Sequence, residues 1–146
     1  MEKAIFACGC FWGVESTFGK IDGVISTAVG YTGGRTENPT YKEVCEGNTY
    51  HAEAVLLDFD PSIVSYEKLV TVFFKMHDPT TLNRQGPDVG SQYRSAIFYE
   101  NESQKEIAEK VKKEFEDAKF FKSKIVTQIV PAERFDFAEE YHQKYF

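Results

Sequence analysis

The chain has 146 residues and a formal net charge of −6, with 42% hydrophobic and 15% aromatic side chains. That is enough apolar surface for one core and too much for a disordered chain. The acidic balance excludes a nucleic-acid partner, which needs clustered Lys and Arg, and no run reaches the length of a membrane span.

Lys3 to Ala7 reads as a buried strand running into the turn Cys8-Gly-Cys10. A short helix is expected from about Trp12 to Phe18, with Glu15 in its first turn, then a strand over Val24 to Val29 closed by Gly30-Tyr-Thr-Gly-Gly34. Asn38-Pro39 leads into a short helical piece at Thr40 to Glu46, and Ala52 to Phe59 alternates as a strand. From Ser65 the apolar residues Tyr66, Leu69, Val70, Phe73 and Phe74 fall at helical spacing, so one face packs on a sheet. Asp78 to Gln92 follows neither period; a structureless loop of that length is often functional. Arg94 to Tyr99 is a further strand. Asn101 and Gln104 form a capping-box pattern ahead of a helix predicted to bury Ile107, Val111 and Phe115. Its wet side carries Glu106–Lys110 and Glu109–Lys113 pairs, each worth about 0.2–0.5 kcal/mol. Lys124 to Val130 is the last strand, and Phe137 to Tyr145 reads as a short terminal helix. The order predicts one α+β domain over residues 1–146, in two layers with helices packed on a mixed sheet.

Three cysteines are an odd number, and no secretory signal is visible ahead of them. A reducing, cytoplasmic setting is expected, where free thiols are buried, metal-bound or catalytic. Cys10 falls at the junction of a strand and a helix N-terminus. Unpaired amides and the helix dipole at such a place favour a thiolate, although a buried structural cysteine would read the same way. Phe11 and Trp12 beside it supply an apolar wall. Glu53 begins a strand that otherwise reads apolar; it either points to solvent or lies in a poorly solvated cleft with a raised pKa. In the long loop, Asp88 could fix a turn and Tyr93 could be an edge-strand aromatic.

Six motifs in order resemble the A-type peptide methionine sulfoxide reductases: Gly9-Cys-Phe-Trp12, Gly30-Tyr-Thr-Gly-Gly34, Asn38-Pro-Thr-Tyr41, His51-Ala-Glu53, His77-Asp-Pro79 and Asp88 through Ser95. The resemblance runs from Ile5 to Tyr145. It implies a ferredoxin-like α/β plait and thiol-dependent reduction of the (S)-epimer of methionine sulfoxide, free or in proteins. Carried over by position, it makes Cys10 the nucleophile and Glu53 the acid that protonates the sulfoxide oxygen. Tyr41 and Tyr93 become hydroxyl donors to that oxygen, Asp88 a further polar group, and Phe11 and Trp12 the contact for the S-methyl group.

These residue types suit the reaction. A sulfoxide oxygen leaves only when protonated, so a thiolate needs an acid aimed at that oxygen. A Glu at its usual pKa would be ionised at neutral pH, so burial must raise it. The product is methionine and a Cys10 sulfenic acid, which a second thiol clears. Relatives carry resolving cysteines in a Gly-rich tail, whereas the sequence in hand stops at Phe146 with only Cys8 and Cys45 besides Cys10. Four routes stay open: Cys8, Cys45, an external reductant such as thioredoxin, glutaredoxin or glutathione, or a cysteine in a tail beyond Phe146. No bound cofactor or metal is expected, although Cys8, Cys10, Cys45 and His51 are ligand types that suit zinc. A cysteine hydrolase pairing Cys10 with His51, His77 or His142 and a non-enzymatic binder of methionine-rich partners are the rival readings.

Overall fold

The computed structural model describes residues 2–9, 11–33, 51–86, 88–132 and 135–138. Cys10, Tyr41, Cys45, the helical piece expected at Thr40 to Glu46, and nearly all of the expected terminal helix lie outside them.

Strand β1 (Glu2–Cys8) leads into helix α1 (Phe11–Gly19), followed by β2 (Val24–Thr32), β3 (Ala52–Phe59) and α2 (Tyr66–Lys75). A small hairpin of β4 (Arg84–Gln85) and β5 (Asp88–Val89) and a 3-10 turn at Ser91–Tyr93 come next. Then follow β6 (Ser95–Tyr99), α3 (Glu102–Asp117), β7 (Gln128–Pro131) and β8 (Phe135–Phe137). Six strands form one mixed sheet in the order β7-β6-β1-β3-β2-β8, in which only the β6–β7 pair is parallel.

Strand alternation sorts the side chains. Phe6 and Cys8 of β1, Val55, Leu57 and Phe59 of β3 and Tyr31 of β2 join one buried cluster with Phe11, Val14 and Phe18 of α1 and Leu69, Val70 and Phe73 of α2. Ile5, Ala7, Ala52, Ala54, Ala96 and Phe98 gather on the other face. The spacing of Phe11, Val14 and Phe18 gives α1 its single buried stripe, each side chain worth about 1.5–3 kcal/mol on burial. Ring stacking of Phe18 on Phe6, with centroids 5.0 Å apart, fastens that helix to the central strand. Among the described residues no helix is long and apolar enough to cross a membrane.

Several expectations change. Asp78 to Gln92 is not structureless: the β4–β5 hairpin and the 3-10 turn organise it. Tyr93 ends that turn and is not an edge-strand aromatic. Phe137 belongs to β8, because the outer edge of β2 takes Phe135–Phe137 as a partner; a helix cannot supply that ladder. Asn101 caps α3 by accepting from Gln104 N–H at 2.9 Å, but the Gln104 carboxamide accepts from Glu100 N–H and donates to the Lys3 carbonyl. The box is thus half formed, and its second half ties α3 to β1. Ala108 and Gln104 join Val111 in the buried face of α3, while Ile107 and Phe115 pack at its border. Lys110 pairs across to Glu67 on α2 at 2.9 Å rather than along its own helix. Glu15 lies in the second turn of α1, fully buried, accepting from Thr27 Oγ1 at 2.7 Å.

Candidate active site

The turn after β1 decides where the chemistry sits. Gly9 has φ +110°, a conformation that side chains rarely adopt, and it allows the chain to reverse from strand to helix. The first helical amide, Phe11 N–H, points at the Glu53 carboxyl, with N to Oε1 at 3.4 Å. Glu53 stands opposite Tyr31 in the β2–β3 ladder, and alternation places it with Val55 and Leu57 on the helix-covered face. Only 1% of it is exposed.

The second Glu53 oxygen, Oε2, is buried with no hydrogen-bond partner among the described residues. Loss of water pushes the carboxyl up to about 8 from an ordinary 4.5; the Phe11 amide opposes the rise and the charge of Asp88 adds to it. At neutral pH the side chain therefore holds its proton. Of the two readings open from sequence, burial decides for the poorly solvated one. Asp88 sits on β5, half-buried and near enough for its charge to act on Glu53, and the turn carrying Tyr93 lies beside β3.

The aromatic pair divides. The Phe11 ring is fully buried, 5.7 Å from Tyr31 and 6.1 Å from Trp12 between centroids, whereas Trp12 is half-buried. Cys8 is buried in β1, and lack of solvation drives its thiol pKa well upward. Burial there disfavours the thiolate.

His77 is committed elsewhere. Its Nδ1 lies 2.6 Å from the Phe73 carbonyl, which can only accept, so Nδ1 carries the proton and Nε2 accepts from Ser95 Oγ at 2.7 Å. Ser95 in turn meets Thr127 Oγ1 at 2.7 Å. Burial holds the imidazole down to about 4, so it is neutral at pH 7 and has no free nitrogen to serve as a base. His51 is buried, and His142 lies outside the described residues. Among the described residues no group of three or more His, Cys, Asp or Glu could hold a metal ion. A groove of about 340 Å³ between α2 and α3, lined by Thr71, Lys75, Val111, Phe115 and Phe120 among others, contains none of these residues.

A buried, protonated carboxylic acid thus faces a helix N-terminus one residue after a cysteine. Comparison with known proteins agrees with that chemistry: the family model described as peptide methionine sulfoxide reductase matches residues 2–146. The chain belongs to the A-type peptide methionine sulfoxide reductases. It is 60% identical over 146 residues to the peptide methionine sulfoxide reductase MsrA of Methanosarcina acetivorans, covering all of this chain and 78% of that protein. The crystal structure of reduced Mxr1 from Saccharomyces cerevisiae superposes with a TM-score of 0.92 at 38% identity, covering 99% of this chain and 83% of that one. Mxr1 in complex with Trx2 is also similar, with a TM-score of 0.69 at 25% identity and coverage of 99% and 84%. As a member of this reductase family, the protein is an oxidoreductase that reduces methionine sulfoxide at the expense of thiols.

Sequence reading missed two structural contacts around the Gly9 turn and the long loop. Gln85, in the Arg84-Gln-Gly stretch, packs against Gly9, and His77 fastens the strand that follows Tyr93. The only signal for either was a polar residue inside a quoted motif, with nothing to say what it would touch.

Proposed function

We propose that Cys10 attacks the sulfur of L-methionine (S)-S-oxide while Glu53 delivers a proton to the departing oxygen. The observation that carries this reading is the Glu53 carboxyl: buried, against the Phe11 amide, and holding its proton to about pH 8. The Cys10 thiolate forms a bond to the sulfoxide sulfur, and the oxygen takes up the Glu53 proton. That oxygen then passes to the cysteine sulfur, releasing methionine and leaving a Cys10 sulfenic acid. The substrate sulfur is reduced by two electrons and the Cys10 sulfur oxidised by two. Tyr41 and Tyr93 stabilise the developing oxygen charge, and Asp88 keeps Glu53 protonated through its own negative charge. The half-buried Trp12, beside the buried Phe11, receives the S-methyl group.

A thiol then displaces hydroxide from the sulfenic sulfur as water, forming a disulfide, and a second thiol reduces that disulfide. The burial of Cys8 favours an external thiol, and the likeness to Mxr1 in complex with Trx2 favours a thioredoxin-type protein as its source. Cys45 is a further internal candidate. The four strands β6-β1-β3-β2, each antiparallel to its neighbours and linked as βαββαβ, support the ferredoxin-like plait, with residues 1–146 as one catalytic domain in the cytoplasm.

Mass spectrometry after one equivalent of sulfoxide tests the scheme. A gain of one oxygen at Cys10, or a disulfide formed from it, is expected, and racemic substrate should be consumed to about half. Full methionine yield from Cys10→Ser, or complete consumption of the racemate, would overturn it.

A further inference from the structure

The side chain of Gln85 makes two hydrogen bonds to one backbone unit. Its Oε1 accepts from Asp78 N–H at 2.8 Å, and its Nε2 donates to the Asp78 carbonyl at 2.7 Å. A third contact, Nε2 to the Arg84 carbonyl, is 3.3 Å long. The pairing imitates a strand ladder and fixes a long side chain that would otherwise rotate freely. Asp78 is itself anchored, its carboxylate accepting from Thr80 N–H at 2.9 Å, and its neighbour His77 is locked to Phe73 and Ser95.

The stem of Gln85 lies on Gly9. A Cβ at position 9 would stand 2.9 Å from Gln85 Cγ and 3.1 Å from its Cβ, closer than such atoms approach. Gln85 therefore fills the space that a side chain at position 9 would need. Its backbone is paired with Asp88 across the β4–β5 hairpin. One residue thus touches the turn immediately before Cys10, and holds in register the strand that bears the acid beside Glu53.

We propose that Gln85 is a positioning residue for sulfoxide reduction: anchored on the Asp78 backbone and seated on Gly9, it sets the Cys10 turn against the hairpin that carries Asp88. This rests on the assignment of Cys10 as nucleophile. A plain loop tether would lower stability alone; a positioning role alters the reactivity of the thiol and the turnover step.

The test uses the purified protein as Gln85→Met, which keeps the stem on Gly9 but breaks both Asp78 bonds, and as Gln85→Ala, which removes both. With methionine sulfoxide and excess dithiothreitol, kcat should fall about 10–100-fold while KM stays within about threefold, the cost of a nucleophile misplaced by about 1 Å. The Ala variant should lose more than the Met variant. The rate of iodoacetamide alkylation mapped to Cys10 should also differ from wild type by about threefold or more, since thiol reactivity follows its surroundings. A folded variant with kcat and alkylation rate both within about twofold of wild type would overturn the proposal, and Gln85→Met decides alone where Gln85→Ala does not fold. A wild type that alkylates at Cys10 but reduces no sulfoxide would instead sink the functional reading, leaving the alkylation comparison to judge Gln85.

Discussion

Replacing Glu53 with Gln should make the protein slower and more stable at once. In the unfolded chain this carboxyl loses its proton near 4.5, whereas the folded protein keeps it until about 8. Below the lower value both states are protonated and the group contributes nothing to pH dependence. Between the two, the unfolded chain releases a proton that the folded chain retains, so stability falls by about 1.4 kcal/mol per pH unit and levels off above about 8. At pH 7, some two and a half units into that window, the cost is of order 3 kcal/mol. Gln keeps an oxygen for Phe11 N–H and removes the titration, but adds an amide that needs its own partners, so a gain of about 1–3 kcal/mol at pH 7 is expected and little at pH 4. The same change removes the transferable proton, and single-turnover methionine formation should slow by about 10²–10⁴-fold. Urea unfolding of both proteins at pH 4, 5.5 and 7, beside single-turnover assays over pH 5–9, reads both effects. Wild-type turnover in Glu53→Gln would remove the acid role. A stability difference that does not grow between pH 4 and 7 would show that the carboxyl is not held protonated.

Three further outcomes follow from the same geometry. Cys8→Ala should retain turnover with an external reductant and lose about 1 kcal/mol of stability from the vacated core space, measured by steady-state assay and urea titration; abolished turnover would return Cys8 to the resolving role. His77, held near 4 against an ordinary 6.5, makes the fold less stable as pH falls through that interval, because the unfolded chain takes up a proton the folded one refuses. Relative to His77→Gln, wild type should lose about 2 kcal/mol between pH 7 and pH 5, and parallel pH profiles for the two proteins would refute this. Gly9→Ala forces a side chain into a φ of +110° and onto Gln85, so a loss of about 1–3 kcal/mol is expected in thermal or urea unfolding; an unchanged midpoint would mean the turn relaxes freely.

Local pattern sufficed for the main elements because their signals lie within a few residues of one another. Alternation marked Ala52–Phe59 to its ends, and the apolar stripe from Tyr66 to Phe74 gave α2. The motifs around Cys10, Glu53 and Asp88 were equally visible, and with them the reductase family. Sequence placed Glu53 at the head of an apolar strand but could not choose between water and core. That choice depends on which strand face α1 covers, a contact spanning forty-two positions from Phe11. The long loop was opaque for the same reason: β4 and β5 are two residues each, too short for any period, and their order comes from Gln85 reaching Asp78 and Gly9.

Sequence alone therefore offered the candidate reagents, since a cysteine, an acid and their flanking aromatics are properties of residue type and neighbouring order. Tertiary structure decided their condition. Burial under α1 raises the Glu53 carboxyl so that it holds its proton at neutral pH, burial within β1 raises the Cys8 thiol, and two hydrogen bonds occupy both ring nitrogens of His77. Each is a matter of solvation and of contacts between distant segments, and neither is written in the spacing of residues along the chain.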